Sequence, residues 1–245
     1  GLADMIRHHS VLYRDLSDPV AFFKGEVETE LAQFWPYVFG AGAATDPDAA
    51  ARYSALMADS QTLVAEDTLD AVSFSASKQL MDVGGGTGAF LCAALARHPH
   101  LSGVLFDLPA VVGPAQDRFR TAGQSERVCV QPGSFRDDAL PQGADTISLV
   151  RVLYDHSDET VAALLSHVFQ ALPPGGQIVI SEPMGNSRAG DAYFAIYTLA
   201  MQTGRTRDQS DIARLLIDAG FVQVRTPTPL RAFVTSVVVA KKPDT

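Results

Sequence analysis

The sequence predicts an α/β fold: a mostly parallel sheet that ends in a C-terminal antiparallel hairpin and is preceded by linker helices. Three observations predict it. From Gln79 onward, short apolar strand patterns alternate with helical ones; alternation of that kind needs crossover connections, hence parallel strands with helices on both faces. Before Gln79 the apolar spacing is helical only. At the end of the chain two strand patterns are joined by the Pro-containing segment 227–231, which suits an antiparallel pair.

Two regions follow, a helical 1–75 and a sheet-forming 76–245. Asp18-Pro19 starts a helix, with Pro in the first turn where no amide donor is lost. Phe22, Phe23, Val27 and Leu31 continue it at helical spacing. A Gly/Ala-rich turn at 40–45 ends it, and Asp46-Pro47 starts a second helix that runs toward Leu69. Strand 79–83 leads to helix 87–97, strand 103–107 to helix 109–121, and strand 127–131 to a turn at Pro132-Gly133. Strand 145–151 precedes helix 158–171, which Pro173-Pro174-Gly175-Gly176 terminates. Strand 177–182, helical stretches at 190–203 and 209–219, and strands 221–226 and 233–240 complete the pattern.

With 245 residues, 47% hydrophobic and 19% charged, the chain can build a full core. A formal charge of −9 without any Lys/Arg cluster argues against nucleic acid as a partner. Cys92 and Cys129 sit in apolar patterns and are expected to be reduced, buried thiols. No Cys/His spacing suggests zinc, and no metal is expected. No apolar run reaches the roughly 18 residues of a membrane span, and no signal peptide is visible, so the cytoplasm is the expected compartment. The chain begins Gly-Leu-Ala without methionine, which suggests a trimmed N-terminus.

The chemistry is concentrated at Met81-Asp82-Val83-Gly84-Gly85-Gly86-Thr87-Gly88. A buried strand ends in an acid and a glycine run, then enters an apolar helix. In open α/β sheets ligands bind at the carboxyl ends of the strands, and Gly84, Gly86 and Gly88 allow a tight turn and close approach of a ligand. The spacing Gly84, Gly86, Ala89 also fits a dinucleotide fingerprint. Asp82 tips the balance: a carboxylate there would repel a pyrophosphate but attract the ammonium of S-adenosylmethionine. NAD or FAD, or a chance glycine turn, stand as alternatives. Asp107 lies about 20 residues on, where an acid accepts bonds from ribose hydroxyls; it also reads as an N-cap for helix 109–121. In Gly133-Ser134-Phe135, after the third strand, Ser134 offers a hydrogen bond and Phe135 a ring face to an adenine, with ordinary core packing as the rival role of Phe135.

Together these residues resemble the class I S-adenosylmethionine-dependent O-methyltransferases, in the group of plant caffeate- and acetylserotonin-type and bacterial polyketide enzymes. The resemblance spans most of 18–240. It is carried by residues 81–88, Phe106-Asp107-Leu108-Pro109, residues 133–135, the run from Arg151 to Glu159, Leu172 to Gly176, and Ser181-Glu182-Pro183. It implies a Rossmann-like methyltransferase sheet, S-adenosylmethionine as cofactor with S-adenosylhomocysteine as product, and a homodimer formed through a helical N-terminal domain of which 1–75 would be a remnant. It also implies that Leu108 and Arg151 contact the cofactor, and that Met57 and Gln61 approach its reactive end.

Departures from the family pattern bear on the acceptor. The family's Leu-His-Asp-Trp, with His as general base, reads Leu153-Tyr154-Asp155-His156 here. Its first supporting acid matches Glu182, while Thr206 stands where the second is usual and Ser134 replaces an Asp of the adenine site. Tyr-Asp-His, with Phe34-Trp35-Pro36-Tyr37 and the run Arg231 to Ser236, resembles the carotenoid-pathway branch acting on hydroxyneurosporene-type (demethylspheroidene) alcohols. The implied acceptor is then a 1-hydroxy carotenoid, with an aromatic polyketide or other phenol as the alternative. Transient contact with a membrane surface would follow from such an acceptor. His156 is expected as the proton acceptor because its ordinary pKa is near neutrality, Tyr154 as the group that orients the hydroxyl or relays its proton, and Glu182 as the acid that holds the imidazole. The aromatic residues Phe22, Phe23, Phe34, Trp35, Tyr37, Phe39, Tyr193, Phe194 and Tyr197 could line a greasy pocket, though core packing suits most of them. A cofactor-binding protein without catalysis is the remaining alternative.

Overall fold

The computed structural model describes residues 2–34, 61–187 and 189–245. The 40–45 turn, the start at Asp46-Pro47 of the second proposed helix, and Trp35, Tyr37, Phe39 and Met57 therefore lie outside the described residues, while residues 61–69, where that helix is expected to end, are helical. The N-terminal part holds α1 (Leu2–Asp15), α2 (Pro19–Lys24), α3 (Glu30–Phe34) and helical residues 61–71, here α4. Asp18 caps α2 as its sequence suggests, its carboxylate accepting from the Ala21 amide at 3.0 Å. The helix does not run on to Leu31, however. Gly25 ends it with φ of +72°, a left-handed conformation open to glycine at little cost, and α3 begins afresh at Glu30.

Seven strands form one sheet: β1 (Gln79–Val83), β2 (Ser102–Asp107), β3 (Val128–Pro132), β4 (Thr146–Val150), β5 (Gln177–Glu182), β6 (Val222–Arg225) and β7 (Ser236–Lys241). Their order is β3-β2-β1-β4-β5-β7-β6. The first five are parallel, and β7 runs antiparallel to both β5 and β6. Between them lie α5 (Ala89–Arg97), α6 (Val112–Thr121), α7 (Asp158–Ala171), α8 (Ala195–Ala200) and α9 (Gln209–Asp218). A π-helical stretch, Ala189–Phe194, feeds α8. Helix α6 starts three residues later than expected, after Leu108-Pro109 and a turn.

Strand alternation sorts the core into two layers. Met81, Val83, Ile178, Ile180 and Val238 pack on one face with Val161, Leu164, Leu165 and Val168 of α7 and Ile212 and Leu216 of α9. Leu80, Val179, Val237 and Val239 pack on the other with Val64 and Leu69 of α4, Leu91 and Leu95 of α5, and Phe119 of α6. Burial of each such side chain is worth about 1.5–3 kcal/mol. Neither cysteine belongs to these layers as a buried thiol. Cys129 is exposed on β3, because an edge strand turns alternate side chains to solvent, and Cys92 on α5 is only partly covered against the second layer; both are free thiols.

The connection after β3 carries the chain back past β2 and β1 to β4. Strand order reverses between β1 and β4, which is where open α/β sheets leave a crevice. Asp82 and Ser148 are register partners across that seam.

Candidate functional site

The glycine turn sits on a buried acid. Gly84, at φ of +69°, donates its N–H to Phe106 O at 2.8 Å and has Val152 Cγ2 3.0 Å from where a Cβ would lie. Gly85, which the spacing did not single out, is the more constrained: a Cβ there would meet Asp82 Oδ2 at 2.4 Å and Leu105 Cδ1 at 2.5 Å. Asp82 is fully buried. Its Oδ1 accepts from Ser148 Oγ at 2.6 Å, while Oδ2 has no hydrogen-bond partner. Burial pushes this carboxyl up to about 7, against the Ser148 hydrogen bond and with help from Asp107. An orphaned buried oxygen of that kind is costly and suits a cationic group arriving above it.

Asp107 is committed to the turn and does not cap α6. Its Oδ2 accepts the Gly86 amide at 2.6 Å and its Oδ1 the Leu108 amide at 2.7 Å. Burial raises its pKa and these two amides draw it back. Lone pairs remain on both oxygens for a further donor. Gly86 has nothing within 4 Å of its would-be Cβ. Helix α6 braces the turn from outside: Arg118 Nε donates to Thr87 O at 2.9 Å, and Phe119 lies 2.4 Å from a Cβ built on Gly88. Nothing in the spacing of Arg118 or Phe119 marks them.

Ser134 keeps only acceptor capacity for a ligand. Its hydroxyl donates to Asp137 Oδ2 at 2.8 Å and accepts from the Arg136 amide at 3.3 Å, closing its own turn. Its amide goes to Asp138 Oδ2 at 2.8 Å. Phe135 does reach the glycine turn: its Cε1 is 3.9 Å from a Cβ built on Gly84. The ring meets His156 edge-on at 5.3 Å.

Beyond β4, Arg151 takes φ of +59° and donates its amide to Ser181 O at 2.8 Å, with its guanidinium 5.9 Å from the Phe194 ring. Leu153, Tyr154 and Asp155 form one buried 3₁₀ turn. Tyr154 packs edge-on against Phe194 at 5.6 Å. Asp155, which drew no role from the sequence, is buried with Oδ1 lacking a partner. Burial pushes it up to about 8; Arg151 and a hydrogen bond from Tyr154 oppose this and Glu182 adds to it.

Two expectations change here. His156 is buried, and its Nδ1 accepts from Arg136 Nη2 at 3.0 Å. Burial, with the charges of Arg136 and Arg207, drives its pKa down to about 3. It is therefore not a base poised near neutrality. Glu182 does not hold the imidazole. Its Oε2 accepts the amides of Leu153 at 2.9 Å and Tyr154 at 3.3 Å. It is fully buried, and burial pushes it up to about 7 against the pull of Arg207 and the backbone amides.

Of the remaining sequence candidates, Gln61 is described and its Oε1 is buried without a partner. Thr206 stands next to a fully buried Arg207. Phe22 is core and Phe23 is exposed. Tyr193, Phe194 and Tyr197 cluster, and two of them are tied to α1: His8 Nε2 lies 2.8 Å from the Tyr197 hydroxyl and His9 Nε2 2.7 Å from that of Tyr193. The i, i+4 spacing of the tyrosines is visible in the sequence, their partners 184 and 189 residues away are not. Among the described residues no group of His, Cys, Asp and Glu is placed to hold a metal ion, and no helix is long and apolar enough to cross a membrane.

Comparison with known proteins matches residues 13–222 to the O-methyltransferase domain family. Demethylspheroidene O-methyltransferase of Cereibacter sphaeroides is 55% identical over 248 residues, covering 100% of this chain and 65% of that protein. The enzyme of the same name from Rhodobacter capsulatus is 56% identical over 246 residues, 99% of this chain and 61% of its own length. The chain thus spans under two thirds of these relatives. Among solved structures, the O-methyltransferase NcsB1 of neocarzinostatin biosynthesis, in complex with S-adenosylmethionine and 2-hydroxy-5-methyl naphthoic acid, superposes with a TM-score of 0.71 at 30% identity, over 80% of this chain and 58% of that one.

Proposed function

The chain belongs to the O-methyltransferase domain family, and from that premise we propose that it is an S-adenosylmethionine-dependent O-methyltransferase acting on the hydroxyl of a hydrophobic alcohol, a 1-hydroxy carotenoid of the demethylspheroidene type. The observation that carries the cofactor is Asp82: a buried carboxylate with one orphaned oxygen beneath a glycine turn at the reversal of strand order. Such an acid opposes a pyrophosphate and favours a cationic ligand. The observation that carries the acceptor is 55% identity to demethylspheroidene O-methyltransferase along the whole chain, with Tyr154 where a phenol-methylating relative is expected to carry histidine.

In this reading Asp82, Gly84, Gly86, Gly88, Asp107, Leu108, Phe135 and Arg151 hold the cofactor, with Met57 beside its reactive end. When bound, S-adenosylmethionine supplies a methyl group activated on sulfonium sulfur. The protein's share is positioning, which can supply roughly 7–11 kcal/mol, and removal of one proton. An alcohol is a weak acid, so its proton leaves as the new C–O bond forms. Tyr154 orients the hydroxyl, and Asp155 Oδ1, buried and without a partner, receives the proton. A carboxyl pushed up to about 8 is a far better acceptor than an imidazole pushed down to about 3. Glu182 and His156 shape the turn and its wall. Dimerisation, transient membrane-surface contact, a cytoplasmic location and the division into a helical 1–75 and a methyltransferase 76–245 belong to the same proposal.

The test is calorimetric titration of S-adenosylhomocysteine, followed by transfer of labelled methyl to a panel containing a 1-hydroxy carotenoid in detergent and simple phenols. Binding with turnover on the carotenoid is expected. Turnover on phenols alone would shift the acceptor, binding without turnover would leave a non-catalytic cofactor protein, and no binding would end the reading.

A further inference from the structure

We propose that Arg207 is a positioning residue for methyl transfer: together with Glu182 it clamps the 153–158 turn and so holds Tyr154 and Asp155 in place. The inference rests on the functional reading above for its readout, though its geometry stands on the turn itself.

The turn cannot hold itself. A three-residue 3₁₀ segment closes only the bonds from Asp155 N to Val152 O, at 3.4 Å, and from His156 N to Leu153 O, at 3.1 Å. Further bonds to its backbone come from two sides. From β5, Glu182 Oε2 takes the amides of Leu153 and Tyr154. From the segment before α9, Arg207 Nη1 donates to Leu153 O at 2.9 Å and Nη2 to His156 O at 2.9 Å. Arg207 Nε and Nη2 also reach Asp158 Oδ1, at 2.9 and 2.6 Å, in the first turn of α7. One acid therefore grips the N–H side and one guanidinium the carbonyl side.

The approach of the 203–207 segment is equally tight. Gly204, at φ of +72°, would place a Cβ 2.1 Å from Tyr154 O, and Thr203 Oγ1 donates to Asp155 O at 3.4 Å. Arg207 itself has no solvent exposure. Burying a guanidinium costs several kcal/mol before its partners repay it, and well-packed apolar residues often do as well for stability alone. What an apolar residue cannot do is fix the directions of two carbonyl groups with a planar fork. The buried charge lies beside the two groups expected to handle the acceptor's proton, and it acts through the backbone that carries them.

The experiment compares Arg207→Met, Arg207→Lys, Glu182→Gln and the Met/Gln double variant of the full chain, by thermal unfolding, S-adenosylhomocysteine titration, and kcat and KM for the acceptor. A misplacement of about 1 Å costs on the order of 100-fold in rate. We expect Arg207→Met to lose kcat by about that factor while S-adenosylhomocysteine affinity changes by less than about threefold, Arg207→Lys to recover only part of the loss, and the double variant to be no slower than the worse single one. A folded Arg207→Met protein with unchanged kcat overturns the proposal. So does a loss confined to cofactor affinity, or effects of Arg207 and Glu182 that multiply. Should Arg207→Met fail to fold, the Lys variant decides: wild-type kcat with the fork removed overturns it. Loss of cofactor binding in the unmutated protein would instead defeat the functional reading.

Discussion

Arg136 Nη2 donates a hydrogen bond to Nδ1 of His156 at 3.0 Å. A guanidinium has no acceptor, so the imidazole must offer a lone pair at Nδ1 and carry its proton on Nε2. Arg136 thereby fixes the tautomer, and with Arg207 and burial it keeps the ring neutral, its pKa about 3. At neutral pH His156 is a donor or a packing surface.

That relationship separates two pH profiles. A base at Asp155, with pKa about 8, is active when ionised, so kcat rises as pH rises through about 8 and levels above it. Asp155→Asn removes this limb and slows single-turnover transfer by about 10²–10⁴-fold. His156→Ala leaves the limb in place and slows transfer less than tenfold. An inflection near 6.5 that disappears in His156→Ala would return the base to histidine.

Asp82 predicts a proton linkage in cofactor binding. Its pKa of about 7 leaves it largely protonated at pH 6, and a cationic ligand favours the ionised form. Binding of S-adenosylhomocysteine should release a proton at pH 6 and tighten as pH rises through 7. Calorimetry in buffers of different ionisation enthalpy measures the release. A buffer-independent enthalpy at pH 6 would detach Asp82 from the ligand's ammonium.

The same acid affects stability in a defined direction. Its folded pKa is raised from 3.8 to about 7, so the folded protein holds the proton more tightly. The associated stability is fully present below about 4 and is lost as pH rises to about 7. The apo protein should melt at a lower temperature at pH 8 than at pH 5.5 on this account, and Asp82→Asn should reduce the difference. An unchanged difference in that variant counts against the assignment.

Neighbouring glycines should respond differently to alanine. At Gly85 the added methyl meets Asp82 Oδ2 at 2.4 Å and Leu105 at 2.5 Å, both buried, so Gly85→Ala should destabilise by about 1–3 kcal/mol, as overpacking does. At Gly86 nothing lies within 4 Å, though φ is +58°. Gly86→Ala therefore costs about 1–2 kcal/mol of backbone strain but extends into the space above the turn, and it should weaken S-adenosylhomocysteine at least tenfold. Unfolding curves and titrations on both variants check the contrast.

Strand and helix spans were legible wherever a local rule governs them. Residues 79–83, 158–171 and 177–182 coincide with β1, α7 and β5, because period-two and period-3.6 burial leave distinct apolar patterns. The rule failed at Phe22 to Leu31, where apolar spacing overrode the breaking signal of Gly25, and at Cys129, where strand periodicity does not reveal that β3 is an edge.

The sequence by itself determined the class of the site. The run 81–88 and the acid at 107 are contiguous or separated by one βα unit, so local geometry brings them together: Asp107 accepts the Gly86 amide. The partners of the 153–156 turn were decided only by tertiary structure. Arg207 reaches Leu153 and His156 across 54 and 51 residues, Glu182 reaches Tyr154 across 28, and Arg136 reaches His156 across 20. Burial then sets whether each group is charged, raising Asp155 and Glu182 and lowering His156. Identity is written in the chain, but desolvation is a property of what surrounds a residue once the sheet and its helices have closed around it.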